Sequence, residues 1–337
     1  MTWFLKLTGC EEQSAEFVRK HLYLDGPRLH SRLNGKSWLY GELETPTLAQ
    51  LREQVRKCVR EPSPLSIREV IAHVQTLHRD PSNQHALFQV VSQFNLLEMM
   101  SPMVTPERGI GIYERDDTQG PACAIAAGPG TIFRNYFVEV NGKIGQTADN
   151  QIDCLAGMGK LLGNDDQRLW KMVNGYALPS AEGLKVIRDQ LMGLDDASLD
   201  RFRESLQIGL QWDTQITLEG ASHTVSQAYC SALPVTYTSH SKELWEPFAR
   251  LVLEASYEAT FCAAILNASR TGNRSLYLTL VGGGAFGNDM DWITSAIGRS
   301  LQRYSDSGLE VMVCSYVRSQ PVIQKLIQDY ANRNATN

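Results

Sequence analysis

The stretch LYLTLVGGGAFGNDMDWITSAI, Leu276 to Ile297, sets a glycine-rich turn with one aromatic between an apolar run and a helical pattern. Gly282, Gly283, Gly284 and Gly287 carry no Cβ and tolerate positive φ, so backbone amides there can approach a bulky charged ligand closely. Asn288 or Asp289 can cap the helix that follows, on which Trp292, Ile293, Ala296, Ile297, Leu301 and Tyr304 recur at helical spacing. Exposed amides and a helix N-terminus then converge on one spot, which suits a phosphate or diphosphate. Ala285 and Phe286 fill the tip, and the Phe286 ring can lie against a ribose or base. The loop is no Walker A, because no Lys-Ser/Thr follows the last glycine, and no GxGxxG fingerprint. A tight strand-to-helix connection is the plainer reading of the same glycines.

Further groups able to do chemistry lie upstream. The segment Ala86 to Met99 is almost wholly apolar except for Ser92, Gln93, Asn95 and Glu98, and buried polar groups need partners. Glu98 stands three residues from Asn95 and shares its face if the segment is helical. Asp116 and Asp117 are adjacent, so in extended backbone only one of them can reach a common ligand. Gln146, Thr147, Asn150, Gln151 and Asp153 are denser in amides and acids than a helix start requires, although Thr147 as a cap is the simpler explanation.

Composition bounds the rest. With 337 residues, 43% hydrophobic and 20% charged, the chain can bury a large core. A formal charge of -5 argues against a general nucleic-acid binder. No apolar run reaches signal-peptide or bilayer-spanning form, so a cytoplasmic protein without membrane partners is expected. Seven cysteines without CxxC spacing suit a reducing compartment, and the sequence contains no HExxH or other metal-ligand pair, so neither a metal nor a cofactor is expected.

The elements that must position these groups read as follows. Helices are predicted over Thr47–Val59 and Ile67–Leu77, and a short strand over Ser37–Tyr40. A surface loop, Met103–Gly120, should lead into strands at Ala122–Ala127 and Thr131–Val140. The stretch Gly145–Leu155 should begin another helix, and Asn164–Trp212 reads as helical in period, punctuated by Pro179, Gly183 and Asp195-Asp196, an insertion or lid. Then come a strand at Val225–Tyr237, a helix at Leu244–Leu266, the strand before the glycine loop, a helix to Tyr304 and a strand at Leu309–Tyr316. This β-α-β-α-β succession implies right-handed crossovers in a largely parallel sheet. Ligands of such sheets sit beyond the carboxyl ends of the strands, where the glycine loop falls.

Taken together, SQAYCSALPVTY at 226–237 and GGGAFGND at 282–289, separated by a long helix, resemble the C-terminal half of macrodomains of the poly(ADP-ribose) glycohydrolase type. QFNLLE at 93–98 and DTQGPACA at 117–124 resemble the MavL-type ADP-ribosyl-ubiquitin hydrolase group. The likeness covers about two thirds of the chain and is strongest after Val225. It implies an α/β, macrodomain-like mixed sheet flanked by helices over residues 86–330. An N-terminal elaboration would occupy 1–85 and a helical insertion about 160–215. It also implies an ADP-ribosyl hydrolase acting on an ADP-ribosylated protein, ubiquitin being one candidate, or else a non-catalytic ADP-ribose reader. The Gln-Glu-Glu catalytic loop of the glycohydrolases is absent from the first half, so its glutamate cannot be carried over. The MavL-type group implies aspartates instead, with Asp116, Asp117, Asp149, Asp153 and Asp289 as candidates.

Hydrolysis at the distal ribose C1 passes through an oxocarbenium-like transition state and needs a carboxyl group to activate water or protonate the leaving group. Asp117 is preferred on the resemblance, with Asp116, Asn95 and Glu98 as further catalytic candidates. By the resemblance, Asn95 hydrogen-bonds the distal ribose hydroxyls. Phe94, Thr118, Gln119, Gly120, Thr147, Gln151 and the loop Gly282–Asp289, with Ala285, Phe286, Gly287 and Asn288, complete the expected ligand-binding set. Asp289 reads more simply as a helix cap than as a base.

Overall fold

The computed structural model describes residues 1–335. Seven strands build the main sheet: β1 (Glu42–Glu44), β2 (Ser66–Ile71), β3 (Leu87–Val91), β4 (Gly209–Gln215), β5 (Thr224–Cys230), β6 (Ser275–Leu278) and β7 (Glu310–Ser315). Their order is β1-β4-β5-β3-β6-β7-β2. From β5 to β2 all neighbours are parallel, whereas β4 and β1 join antiparallel at the other end. The expected mixed α/β sheet is therefore present. Both of its edges, β1 and β2, come from the first 85 residues.

Consecutive buried residues along β3 and β5 show that both sheet faces are covered. On one face the 30-residue helix Lys242–Thr271 crosses the strands, and its Thr260 hydroxyl accepts a hydrogen bond from Gln89 on β3. On the other face lie helices Val74–Arg79 and Gln119–Ala126. There Gln227 of β5 donates to the Cys123 carbonyl and meets the His78 ring, which stacks on Phe88.

Several expectations are corrected. Ile67–Leu77 is not one helix: Ser66–Ile71 is the edge strand β2 and the helix begins at Val74. Ala122–Ala127 and most of Thr131–Val140 are not strands, because helices Gln119–Ala126 and Gly128–Tyr136 occupy those runs, and only Glu139–Val140 is a short strand. Short apolar runs fit either period, and here Pro121 and Pro129 in first helical turns decide. Gly145–Leu155 is irregular, and the next helix starts only at Ala156; Thr147 bridges Asn150 instead of capping a helix. Asn164–Trp212 is not uniformly helical: a hairpin (Trp170–Val173 with Tyr176–Pro179) precedes helices Ala181–Leu191 and Asp196–Ser205, and β4 closes the segment. The strand from Val225 ends at Cys230.

A largely buried ionic knot ties the long helix to the helices packed on it. Arg52, on helix Leu48–Lys57, reaches Glu258 of the long helix at 2.6 Å, Asp200 at 2.6 Å and Glu204 at 3.0 Å, and Arg303 also reaches Glu258 at 2.9 Å. Removing Arg52 leaves the buried Glu258 carboxylate with Arg303 alone for charge compensation. Arg52→Met is therefore expected to cost about 3 kcal/mol of stability, read as a lower denaturation midpoint in urea.

Candidate active site

The loops that leave the carboxyl ends of β3, β5 and β6 meet around a cavity of about 270 Å³. From the β6 side comes the glycine turn. Gly282 (φ 77°) and Gly287 (φ 67°) occupy left-handed conformations, and a Cβ on them would stand 2.5 Å from Ala232 Cβ and 2.2 Å from Thr236 Cγ2. Glycine is thus required twice, by backbone shape and by space. Thr236 clamps the tip: its N–H donates to the Phe286 carbonyl and its hydroxyl to the Ala285 carbonyl. Asp289 caps helix Met290–Arg303 by accepting from the Asp291 N–H at 3.0 Å, and Lys242 pairs with its other oxygen. Among the described residues, the N–H groups of Gly284, Ala285 and Phe286 have no protein acceptor. Three donors are thus left at the rim for an incoming anion.

Phe286 joins an aromatic wall, its ring centroid 5.4 Å from Tyr176 and 5.6 Å from Tyr237. Tyr176 comes from the inserted hairpin and is fixed by its hydroxyl, which donates to the Met99 carbonyl at 2.7 Å. The insertion therefore forms a side of the cavity.

Opposite stands the loop after β3. Its Asn95 side chain is spent internally: Asn95 Nδ2 donates to Gln151 Oε1 at 2.8 Å and Asn95 Oδ1 accepts from the Leu97 N–H, while Gln146 Nε2 donates to the Asn95 carbonyl. Leu96 sits at φ 65°, a strained position for a leucine, with its carbonyl held by Arg134 Nε at 3.0 Å. This geometry delivers Glu98, 2% exposed, to the cavity lining. Gln119 extends the edge of β3 with its side chain, accepting from the Val91 N–H and donating to the Gln89 carbonyl. Gly120 follows so closely that a Cβ would lie 2.1 Å from the Val91 carbonyl oxygen and 3.2 Å from Glu98 Cγ.

The cavity therefore brings together Glu98, Asp116, Thr118, Gln119, Gly120, Gly282, Gly284, Ala285 and Phe286. Asp117 is exposed outside it, and Phe94, Asn95, Thr147, Gln151, Gly283, Gly287, Asn288 and Asp289 are not in its lining. Sequence reasoning missed Gln93, Met99, Met100, Tyr176 and Thr279, which also line it. The one available signal was the set of polar residues inside the apolar run before Met99. A larger groove of about 620 Å³ beside helices Met290–Arg303 and Pro321–Ala335 lacks such donors, and its charges pair among themselves or with neighbours, as in Lys325–Asp329 and Arg250–Asp291. Among the described residues no cluster of His, Cys, Asp and Glu can hold a metal, and no helix is long and apolar enough to cross a membrane.

Burial and hydrogen bonding separate the two cavity acids. Neither oxygen of Glu98 has a hydrogen-bond partner among the described residues, and burial pushes its carboxyl up to about 8. Arg134, 3.7 Å away, and Tyr113 offset only part of that shift. Asp116 lies partly exposed at the edge, accepting from the Thr118 N–H at 2.9 Å. A buried carboxyl that is pushed up and a partly exposed one thus line the same cavity.

No protein-family model matches the chain, and no curated protein matches it. Solved structures of poly(ADP-ribose) glycohydrolase do match. That from Deinococcus radiodurans in complex with ADP-ribose has a TM-score of 0.45 and 12% identity, over 87% of this chain and 94% of that one. The enzyme from Thermomonospora curvata has a TM-score of 0.43 and 11% identity, over 94% and 95%. Its complex with the inhibitor ADP-HPD has a TM-score of 0.39 and 12% identity.

Because the folded chain holds the Glu98 proton more tightly than the unfolded chain, this group favours folding most below pH 4.5 and loses that contribution as pH rises to about 8. Glu98→Gln, neutral at every pH, removes the dependence. Its stability relative to wild type should climb between pH 4.5 and 8 with a slope approaching about 1.4 kcal/mol per pH unit, measured by urea denaturation at a series of pH values.

Proposed function

We propose that this cavity binds ADP-ribose and hydrolyses its glycosidic link to a protein acceptor. The observation that carries the reading is the pairing of three unspent loop amides with a buried, protonated carboxyl on the lining of one cavity. In this reading the amides of Gly284, Ala285 and Phe286 take the diphosphate, as backbone donors in glycine-rich turns do. The aromatic wall of Phe286, Tyr176 and Tyr237 gives the ribose a flat apolar surface. Glu98 donates its proton to the leaving atom as the bond to C1 breaks, and Asp116 takes a proton from the attacking water. No metal or cofactor is needed for these steps.

The likeness of 93–98, 117–124, 226–237 and 282–289 to macrodomain hydrolases supports the same chemistry, and ubiquitin is the acceptor that the MavL-type resemblance suggests. A reader that binds ADP-ribose without turnover is the second reading. The unusual retention of a proton by Glu98 favours the enzyme, because a reader has no use for a proton donor.

ADP-ribose should bind in calorimetry. Gly284→Asp, whose Cβ meets nothing within 4 Å, should keep its melting temperature and bind at least about tenfold more weakly by like-charge repulsion. An unchanged affinity would remove the diphosphate from this loop. Release of ADP-ribose from mono-ADP-ribosylated ubiquitin, and from other ADP-ribosylated proteins, separates enzyme from reader. Asp116→Asn should slow that release about 100-fold, and Asp117→Asn should leave it within a few-fold of wild type. The reverse ranking would reassign the base to Asp117.

A further inference from the structure

Beneath the cavity floor lies an arginine that none of the chemistry above has used. Arg134, on helix Gly128–Tyr136, is 0% exposed, and its guanidinium carbon stands 3.6 Å over the Tyr229 ring. Its nitrogens donate to the Leu96 carbonyl at 3.0 Å, Thr131 Oγ1 at 3.2 Å and Gln211 Oε1 at 3.5 Å. All three acceptors are neutral. Among the described residues, the carboxyl group in ion-pair range of Arg134 is Glu98, at 3.7 Å, just beyond a hydrogen bond. A guanidinium stays protonated in a protein, so a permanent positive charge is sealed beside an acid whose own oxygens have no partner.

We propose that Arg134 is a positioning residue that receives the negative charge created when Glu98 gives its proton to the leaving group. The proposal rests on the reading of the cavity as a hydrolase site. Before the step, Glu98 is a neutral acid and the cation is balanced by the Tyr229 face and neutral acceptors. As the bond from C1 to the acceptor atom breaks, its electron pair goes to that atom, which takes the Glu98 proton. Water adds to C1 and its proton passes to Asp116. The products are the free acceptor and ADP-ribose; Asp116 then releases its proton to solvent and Glu98 recovers one from solvent. The Glu98 carboxylate then forms a buried ion pair with Arg134 that did not exist in the ground state. An attraction that grows only as charge develops lowers the barrier without tightening substrate binding.

The other titratable groups around Glu98 cannot replace this cation. Tyr113, from the turn Gly111–Arg115, accepts the Glu98 N–H at 3.0 Å. Tyr229 on β5 and Cys123 on helix Gln119–Ala126 are buried groups whose proton affinity rises. Asp116, on the cavity edge, adds negative charge when ionised. Arg134 alone of this set is positive.

The test reads Glu98 directly by carboxyl carbon-13 NMR, with its signal assigned by loss in Glu98→Gln, beside steady-state release of ADP-ribose. In Arg134→Gln the Glu98 midpoint should move up by at least about one pH unit, a tenfold change in proton affinity. In the same variant kcat should fall about 100-fold while KM stays within about threefold. Arg134→Lys, which keeps the charge, should recover at least about a tenth of the wild-type kcat. A folded Arg134→Gln whose Glu98 titrates as in wild type overturns the proposal. If that variant does not fold, the decision falls to the other proteins: a wild-type Glu98 midpoint in the ordinary range near 4.5, or an Arg134→Lys protein as slow as Glu98→Gln, overturns it. Failure of the hydrolase reading has its own signature. The wild type then releases no ADP-ribose, whether or not it binds it, while Arg134→Gln still raises the Glu98 midpoint.

Discussion

Everything around the cavity depends on burying a polar loop. Residues 92–99 leave the end of β3 in the interior, and the backbone there has no strand or helix in which to satisfy itself. The answer is a ring of donors and acceptors from distant segments. Gly175 of the inserted hairpin supplies a carbonyl to the Phe94 N–H, Cys154 donates to the Phe94 carbonyl, and Gln146 spans the Asn95 and Arg134 carbonyls. The strained Leu96 persists because Arg134 holds its carbonyl and because Gly209 leaves room for its side chain, where a Cβ would stand 2.5 Å away. Were any of these partners to leave, the loop would carry unpaired polar groups in an apolar surround.

That constraint also explains why the Glu98 carboxyl is pushed up. The same packing that satisfies the loop buries the Glu98 side chain, and among the described residues both of its carboxyl oxygens end without hydrogen bonds. A charged carboxylate there would be poorly solvated, so the neutral form is favoured despite a nearby guanidinium. The chemistry attributed to the cavity therefore follows from how the loop is buried. The glycine turn contributes the opposite quality, backbone donors that the fold leaves unspent at the rim.

The two walls differ in how far the sequence reveals them. The strand, glycine turn and capped helix around Leu276–Tyr304 are local: apolar period, glycine and Asp289 each act within a few residues, so the pattern reads directly. The opposite wall is set by contacts far apart in the chain. In the sequence Glu98 reads equally as a catalytic candidate and as a surface charge until Tyr113, Arg134 and Gly120 close around it, and Tyr176 reaches the cavity only because its hairpin folds back onto Met99. Gln119 and Gly120 read as loop, and the run after them as a strand, because a short apolar stretch has no decisive period. Asp116 and Asp117 could not be told apart by spacing. Their difference in exposure arises from the bend at Thr118, whose N–H is held by Asp116.

The parallel pairing of β3 with both β5 and β6 has a consequence for how the molecule comes into being. β3 ends at Val91, but its hydrogen-bonded neighbours start at Thr224 and Ser275. During synthesis, the first two hundred residues emerge with the polar loop, its acid and its arginine present but with no sheet to lean on. Contacts of such long sequence separation form slowly, because the chain must close large loops before they reward it. The cavity is thus among the last features to exist, completed when the glycine turn arrives, and a nascent or truncated chain carries its buried charges unsheltered until then.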